Sequence, residues 1–220
     1  MTRKPPDIDF TLRRPFIKFS GDKILQTIKD YKDADIEIAT LALDELKLRN
    51  KAKRITQAQK LFRNAKFKPI PWLQSARDSL TILERPKKGN YQGHLYVVLI
   101  EGYKKTNEYY GAYVGSSKYR PETRFKQHKE GKHASNIVKR RGLQLLQSLC
   151  WPWQTVPGSK GERILWESAL NRSLAEVIPK VSGDFRPSGE WPSEFQVRLQ
   201  KKLGDDGLDQ GIWKEPKPSS

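Results

Sequence analysis

Apolar residues recur at three- and four-residue steps through residues 35–66, at Leu41, Leu48, Ala52, Ile55 and Phe62. Asp44, Glu45, Lys47, Arg49, Lys51 and Lys53 fall between them. That period puts the apolar side chains on one helical stripe and the charges on the other. Asn50 divides the stretch into two expected helices. Lys68-Pro69-Ile70-Pro71 ends it, because proline lacks the helix donor and clashes with the preceding turn. A short helix over 74–83 and a linker over 86–90 (Pro-Lys-Lys-Gly-Asn) follow. The first twenty residues, with Pro5, Pro6, Pro15 and the cations Arg3, Lys4, Arg13, Arg14 and Lys18, read as a basic arm rather than a packed element.

The pattern changes after Gly93. His94-Leu95-Tyr96-Val97-Val98-Leu99-Ile100 is an apolar, β-branched run, which predicts a core strand. Residues 101–107 supply a turn, and the aromatic stretch 108–115 predicts a second strand antiparallel to the first. Pro121 opens a helix at the position that tolerates proline, and Gly131 stops it. A second short helix covers 134–141, and the apolar run 143–151 reads as strand. Ser159 and Glu162 have capping-box spacing and start a helix reaching about 177. Loop residues Pro179, Gly183, Pro187 and Gly189 precede an amphipathic helix over 192–203 and a polar tail. The order β-β-α-α-β-α predicts an α+β fold. Its sheet would be small and antiparallel, with about three strands flanked by helices and a helical extension on the N-terminal side.

Composition narrows the function. Lys and Arg number 42 against 25 Asp and Glu, giving a formal charge of +17, a pI near 9.9 and a mean hydropathy of −0.77. A charge of that size asks for a polyanionic partner, and nucleic acid leads. No run of about eighteen apolar residues is present, so no membrane partner is expected. Met-Thr-Arg-Lys-Pro-Pro has no apolar segment behind it, so the chain is expected in the cytoplasm. The lone cysteine, Cys150, excludes an internal disulfide framework and a cysteine-based zinc site, and its apolar neighbours predict a buried thiol. Positive charge is concentrated over 104–141, where eleven Lys and Arg face only Glu108, Glu122 and Glu130. Lys118, Arg120, Lys126, Lys132 and Arg140 in that stretch are candidate phosphate-backbone contacts. Lys47, Arg49, Lys51, Lys53 and Arg54 form a second basic stripe, suited to holding DNA or simply to facing water.

Seven of the eight tyrosines lie between Tyr91 and Tyr119. Tyr96 starts one expected strand and Tyr113 closes the next. Arg124 and His128 are four apart and share a helix face. Glu167 lies mid-helix with Ile164, Leu170, Asn171 and Leu174 around it. A carboxylate on such an apolar face is costly unless a cation or a metal compensates it. Each residue also has a plainer reading: strand aromatics, a solvated arginine, a structural histidine, or a glutamate paired with an arginine. Glu162 is best explained as the cap partner of Ser159.

At these positions the sequence resembles the GIY-YIG endonuclease family, over roughly residues 93–174. The first half-motif falls on His94-Leu95-Tyr96 and the second on Tyr113-Val114-Gly115. The stretch from Ser116 through Arg124 and His128 to Gly131 is similar to the family's arginine-bearing loop and helix. Glu162 to Leu170 is similar to its metal-binding helix. His94 stands in place of the first glycine and Leu95 in place of the isoleucine, and the hairpin is long. The resemblance implies metal-dependent hydrolysis of phosphodiester bonds in double-stranded DNA, and the residues suit that chemistry. Arg124 can hold a nonbridging oxygen with its planar fork. Glu167 is a hard oxygen ligand for one Mg²⁺, with Mn²⁺ able to substitute. Tyr96 is the expected water-activating group, Tyr113 orients it, and His128 accepts or relays the proton. Asn171, one turn beyond Glu167, would touch a phosphate or the water shell. The expected organisation is a basic arm and helical DNA-binding extension over 1–90, a catalytic domain over 91–180, and a C-terminal helix and tail over 181–220. A restriction-type enzyme is the leading reading, and cutting both strands of a palindrome favours a homodimer. A homing or repair nuclease and a non-catalytic nucleic-acid-binding protein are the alternatives.

Overall fold

The computed structural model describes residues 8–80, 93–103, 109–132, 135–150, 156 and 160–183. Within them lie eight helices and four strands. The fold is α+β, with a helical region preceding a small sheet. The helix expected over 192–203 and the tail after it lie outside the described residues, as do the linker over 86–90 and the Ser159 and His133 positions.

The helical region holds α1 (Gly21–Tyr31), α2 (Ile36–Leu48), α3 (Ala52–Arg63) and α4 (Leu73–Leu80). α1 is not among the helices expected from the hydrophobic pattern. Its signals are local: Ser20 caps it by accepting from the Lys23 N–H at 3.2 Å, and Ile24, Thr27 and Ile28 make its buried face. The split at Asn50 is present, and Asn50 itself takes a positive φ of 52°. That break ends the expected stripe. Leu48 is 57% exposed and Ala52 is exposed as well, because the helical phase does not continue across the turn. α2 is instead buried almost all round, on Ile36, Ile38, Ala39, Leu41, Ala42, Leu43 and Leu46. A helix with so little polar face belongs at the centre of its neighbours.

From residue 8 on, the expected N-terminal arm is a packed segment. Phe16 is fully buried and meets Phe19 edge-on at 5.2 Å between ring centroids. Arg49 donates to the carbonyls of Phe19, Phe16 and Ile17 at 2.7, 2.8 and 2.9 Å, and Arg77 to those of Leu12 and Arg13 at 2.6 and 3.2 Å. Arg14 closes on the buried Glu45 at 2.7 Å. The irregular backbone thus gains the donors it lacks from two arginines, and of its own cations Arg14 reaches a buried carboxylate while Arg13 and Lys18 stay exposed. The second basic stripe is divided for the same reason. Arg49 is structural, Lys47 pairs with Asp44 and Arg54 with Asp22, while Lys51 and Lys53 stay exposed.

The sheet has the order β3-β1-β2-β4. β1 (His94–Tyr103) and β2 (Tyr109–Ser117) form an antiparallel hairpin. β3 (Gly142–Leu145) adds to β1 antiparallel, and β4 (Val181–Ser182) pairs with β2 in parallel through Ala112 and Tyr113. Three antiparallel strands were therefore legible, and the two-residue parallel fourth was not. Residues 95–100 of β1 are buried without alternation, so both faces of this strand are covered. α5 (Pro121–Glu130) ends at Gly131, whose φ of 84° is the left-handed cap that glycine takes without strain. α6 (Asn136–Arg141) follows, and α8 (Lys160–Ala175) lies against β2.

The strand expected over 143–151 stops at Leu145, and Gln147–Cys150 forms a one-turn helix, α7. Glu37 of α2 causes the turn. Its buried carboxylate accepts from the N–H groups of Gln147 and Ser148 at 2.7 and 2.8 Å and from Ser148 Oγ at 2.6 Å. Burial nevertheless raises the Glu37 pKa to about 7. Cys150 is buried as expected, and its Sγ accepts the Val97 N–H at 3.0 Å.

Helical region and sheet are joined by further buried contacts. Trp72 Nε1 donates to the Tyr110 carbonyl at 3.3 Å. The Tyr110 hydroxyl accepts from Lys68 N and donates to Lys68 O, each at 3.0 Å. No helix among the described residues is long and apolar enough to cross a membrane.

Candidate active site

Tyr96 lies opposite Gly115, and Val98 opposite Tyr113, in the β1–β2 register. Opposed residues share a face and so do residues two apart, so Tyr96 and Tyr113 leave the same side of the sheet as diagonal neighbours. Their ring centroids are 6.3 Å apart. Gly115 makes this closeness possible. A Cβ there would come within 2.5 Å of the Tyr96 Cζ and Oη and 2.9 Å of the Tyr113 Cε1. The glycine of the second half-motif is thus the floor on which the first tyrosine rests.

α5 brings two more groups over these rings. His128 is 1% exposed, with its ring 6.0 Å from that of Tyr96 and 5.9 Å from that of Tyr113. Its Nε2 is 2.8 Å from Tyr96 Oη, and its Nδ1 accepts the Ser135 N–H at 2.9 Å. Arg124, one turn earlier, lies close enough to Tyr96 to act against the upward shift of its pKa, and it donates to Gln127 Oε1 at 3.2 Å. The Ser135 side chain and Tyr96 lie beside Tyr113, and each acts to lower its pKa against the burial that raises it.

Glu167 enters from α8 and is 7% exposed. It is close enough to raise the pKa of both phenols, and this closeness links α8 to the cluster. For Tyr96 burial is the larger cause of a strong upward shift, followed by Tyr113, with Arg124 opposing it. Tyr113 is raised by burial and then by Glu167. Burial, with Arg124 beside it, pulls His128 down to about 4. Neutral phenols and a neutral imidazole are therefore the resting forms at neutral pH.

Of the residues expected at the site, the structure brings Tyr96, Tyr113, Arg124, His128 and Glu167 together from β1, β2, α5 and α8. Asn171 is placed otherwise. It is 6% exposed, and its Nδ2 lies 2.7 Å from where a Cβ on Gly183 would stand, beside the Val114 carbonyl at 2.5 Å from that point. Its amide therefore lies at the β2–β4 edge, one turn beyond Glu167 on α8. Lys118, Arg120, Lys126, Lys132 and Arg140 are all exposed. Lys118 lies over the Tyr119 ring at 5.2 Å, and Lys126 and Lys132 both reach Glu130, at 3.9 and 3.1 Å. Lys129, in the same cluster, is structural: its Nζ donates to the carbonyls of Lys139 and Gly142, tying α5 to the end of α6.

Two contributors were not singled out from the sequence. Ser135 lies unremarked inside the helix expected over 134–141, and Gly115 is named only as the last residue of the second half-motif. An alternation of large and absent side chains at opposed strand positions is the signal that points to Gly115.

As a metal ligand Glu167 offers a single hard carboxylate, and among the described residues no group of three or more His, Cys, Asp and Glu side chains is gathered. One carboxylate fits Mg²⁺, which keeps most of its waters and shares a substrate phosphate. Compared with protein-family models, with curated proteins and with solved structures, the chain matches none.

Proposed function

We propose that this chain is a metal-dependent DNA endonuclease of the GIY-YIG type, hydrolysing phosphodiester bonds of double-stranded DNA at specific sites, as a restriction enzyme does. The observation that carries the reading is the convergence of Tyr96, Tyr113, Arg124, His128 and Glu167 on one buried cluster. The five come from two strands and two helices, and nothing in their folding roles alone requires this mixture of phenols, cation, imidazole and carboxylate. Exposed cations on the β2–α5 turn, on α5 and on α6 supply charge for a phosphate backbone next to it.

In this reading Arg124 holds a nonbridging phosphate oxygen and offsets the charge that grows on it. Tyr96 contacts the attacking water, and Tyr113 fixes the position of Tyr96. Glu167 would hold a Mg²⁺, which supplies Lewis-acid help to the phosphate when bound. The protein would act in the cytoplasm. A homodimer would present two such sites to a palindrome. The same burial also suits a second reading, a nucleic-acid-binding protein whose polar cluster is purely structural.

Incubation with supercoiled plasmid in Mg²⁺ or in EDTA separates the two. Discrete metal-dependent fragments are expected. A metal-dependent smear would remove site specificity but leave the nuclease, and tight binding without any nicking would leave only the second reading.

A further inference from the structure

His128 is engaged at both ring nitrogens, and the two partners together fix where its proton sits. A main-chain N–H can only donate. Because Ser135 N lies 2.9 Å from Nδ1, that nitrogen must present a lone pair. In a neutral imidazole the proton is then on Nε2, which is 2.8 Å from Tyr96 Oη. The phenol oxygen accepts there. The proton left to Tyr96 is then donated elsewhere than to His128. Placing a second proton on the imidazole would aim an Nδ1–H at the Ser135 N–H. The lowered His128 pKa points the same way.

We propose that Ser135 is a positioning residue: its main-chain N–H locks His128 as the Nε2–H tautomer, so that the ring donates a hydrogen bond to Tyr96 Oη instead of taking its proton. This reverses the proton-accepting role expected of His128. The catalytic meaning rests on the nuclease reading above, whereas the tautomer is a property of the folded chain and is measured without any cleavage.

The experiment is NMR of the full chain with nitrogen-15 label near neutral pH. The protein has three histidines, so His128→Gln assigns the ring by difference. Two-bond nitrogen–proton correlations are expected to show an unprotonated Nδ1 and a protonated Nε2. A correlation across the hydrogen bond is expected to link the Ser135 amide nitrogen to Nδ1. Ser135→Ala keeps the amide, so the tautomer should persist. A proton on Nδ1, protons on both nitrogens, or a tautomer that changes in Ser135→Ala would overturn the proposal. The kinetic counterpart uses the same variant. The glutamine amide can donate to Tyr96 but cannot titrate, so cutting by His128→Gln should fall by roughly tenfold or less, as for one hydrogen bond. Were His128 the base, the loss would be about 10²–10⁴-fold. His128→Gln and His128→Ala equally inactive, both folded and both binding DNA, would refute the donor role. A wild type that shows the expected tautomer and does not cut DNA would refute the nuclease reading and leave the assignment standing.

Discussion

Gly115→Ala adds one methyl group at the point where the site is most tightly closed. Its carbon would stand 2.5 Å from Tyr96 Cζ and Oη and 2.9 Å from Tyr113 Cε1. Carbon contacts relax only at about 3.5 Å, so the tip of Tyr96 has to retreat by about 1 Å. The hydroxyl is 2.8 Å from His128 Nε2, and a shift of that size takes the pair beyond the range of a hydrogen bond. Overpacking of this kind costs about 1–3 kcal/mol, and the lost buried hydrogen bond adds about 1 kcal/mol. Together they give about 2–4 kcal/mol, which in a chain of this size lowers Tm by roughly 5–15 °C. Cleavage should suffer more than the residual folded fraction explains, since a misplacement of about 1 Å at a reacting group costs on the order of 10²-fold. Thermal unfolding followed by circular dichroism and plasmid cutting measured well below Tm check the two parts separately. A variant with wild-type Tm would show that Tyr96 does not rest on Gly115. A destabilised variant that cuts at the wild-type rate would show that the position of Tyr96 does not matter to the chemistry.

Glu45→Ala removes the acceptor shared by Arg14 and Arg49. Burial would raise the pKa of Glu45, but hydrogen bonds from these two arginines outweigh it and hold it low. Breaking a buried pair costs about 3–5 kcal/mol, and the partial exposure of Arg14 reduces this to about 2–3 kcal/mol in urea unfolding; an unchanged midpoint would refute the network. Two buried groups make opposite contributions to stability against pH. Glu37 is raised from 4.5 to about 7, so its contribution is complete below 4.5 and is lost as pH climbs to 7. His128 is lowered from 6.5 to about 4, so its contribution is complete above 6.5 and is lost as pH falls towards 4. Each amounts to about 3 kcal/mol at most. Glu176, raised by burial, adds to the Glu37 side. The wild type should therefore be nearly flat between pH 5 and 6.5, Glu37→Gln should gain stability with rising pH, and His128→Gln should lose it. Parallel profiles for the two variants would contradict both assignments.

The parts of the fold set by local pattern were readable from residues. The β1–β2 hairpin, α5 between Pro121 and Gly131, and the break at Asn50 each follow from a run, a cap or a breaker that acts within a few positions. What escaped depends on partners far along the chain. The one-turn helix at Gln147 exists because Glu37 takes its first amides, and an apolar run alone reads as strand. The N-terminal segment is basic and proline-containing, which signals an arm, until Arg49 and Arg77 are seen to satisfy its carbonyls. β4 is too short to carry a pattern. At the site, the five clustered side chains were nameable from spacing and family resemblance. The arrangement of protons among them was not, because it turns on a main-chain amide, Ser135 N–H, whose position no side-chain pattern encodes.

The central claim is that the Tyr–Arg–His–Glu cluster breaks phosphodiester bonds and does not merely fill space beneath a DNA-binding surface. Measuring cutting of supercoiled plasmid in Mg²⁺ and binding to a duplex of the same sequence, side by side, for wild type, Arg124→Ala and Glu167→Ala, tests it most directly. Removing a group that acts on the transition state is expected to cost about 10²–10³-fold in turnover. Both variants should lose cutting on that scale while binding duplex within a few-fold of wild type. Equal loss of binding and cutting in Arg124→Ala, or metal-dependent cutting that survives Glu167→Ala, would contradict it.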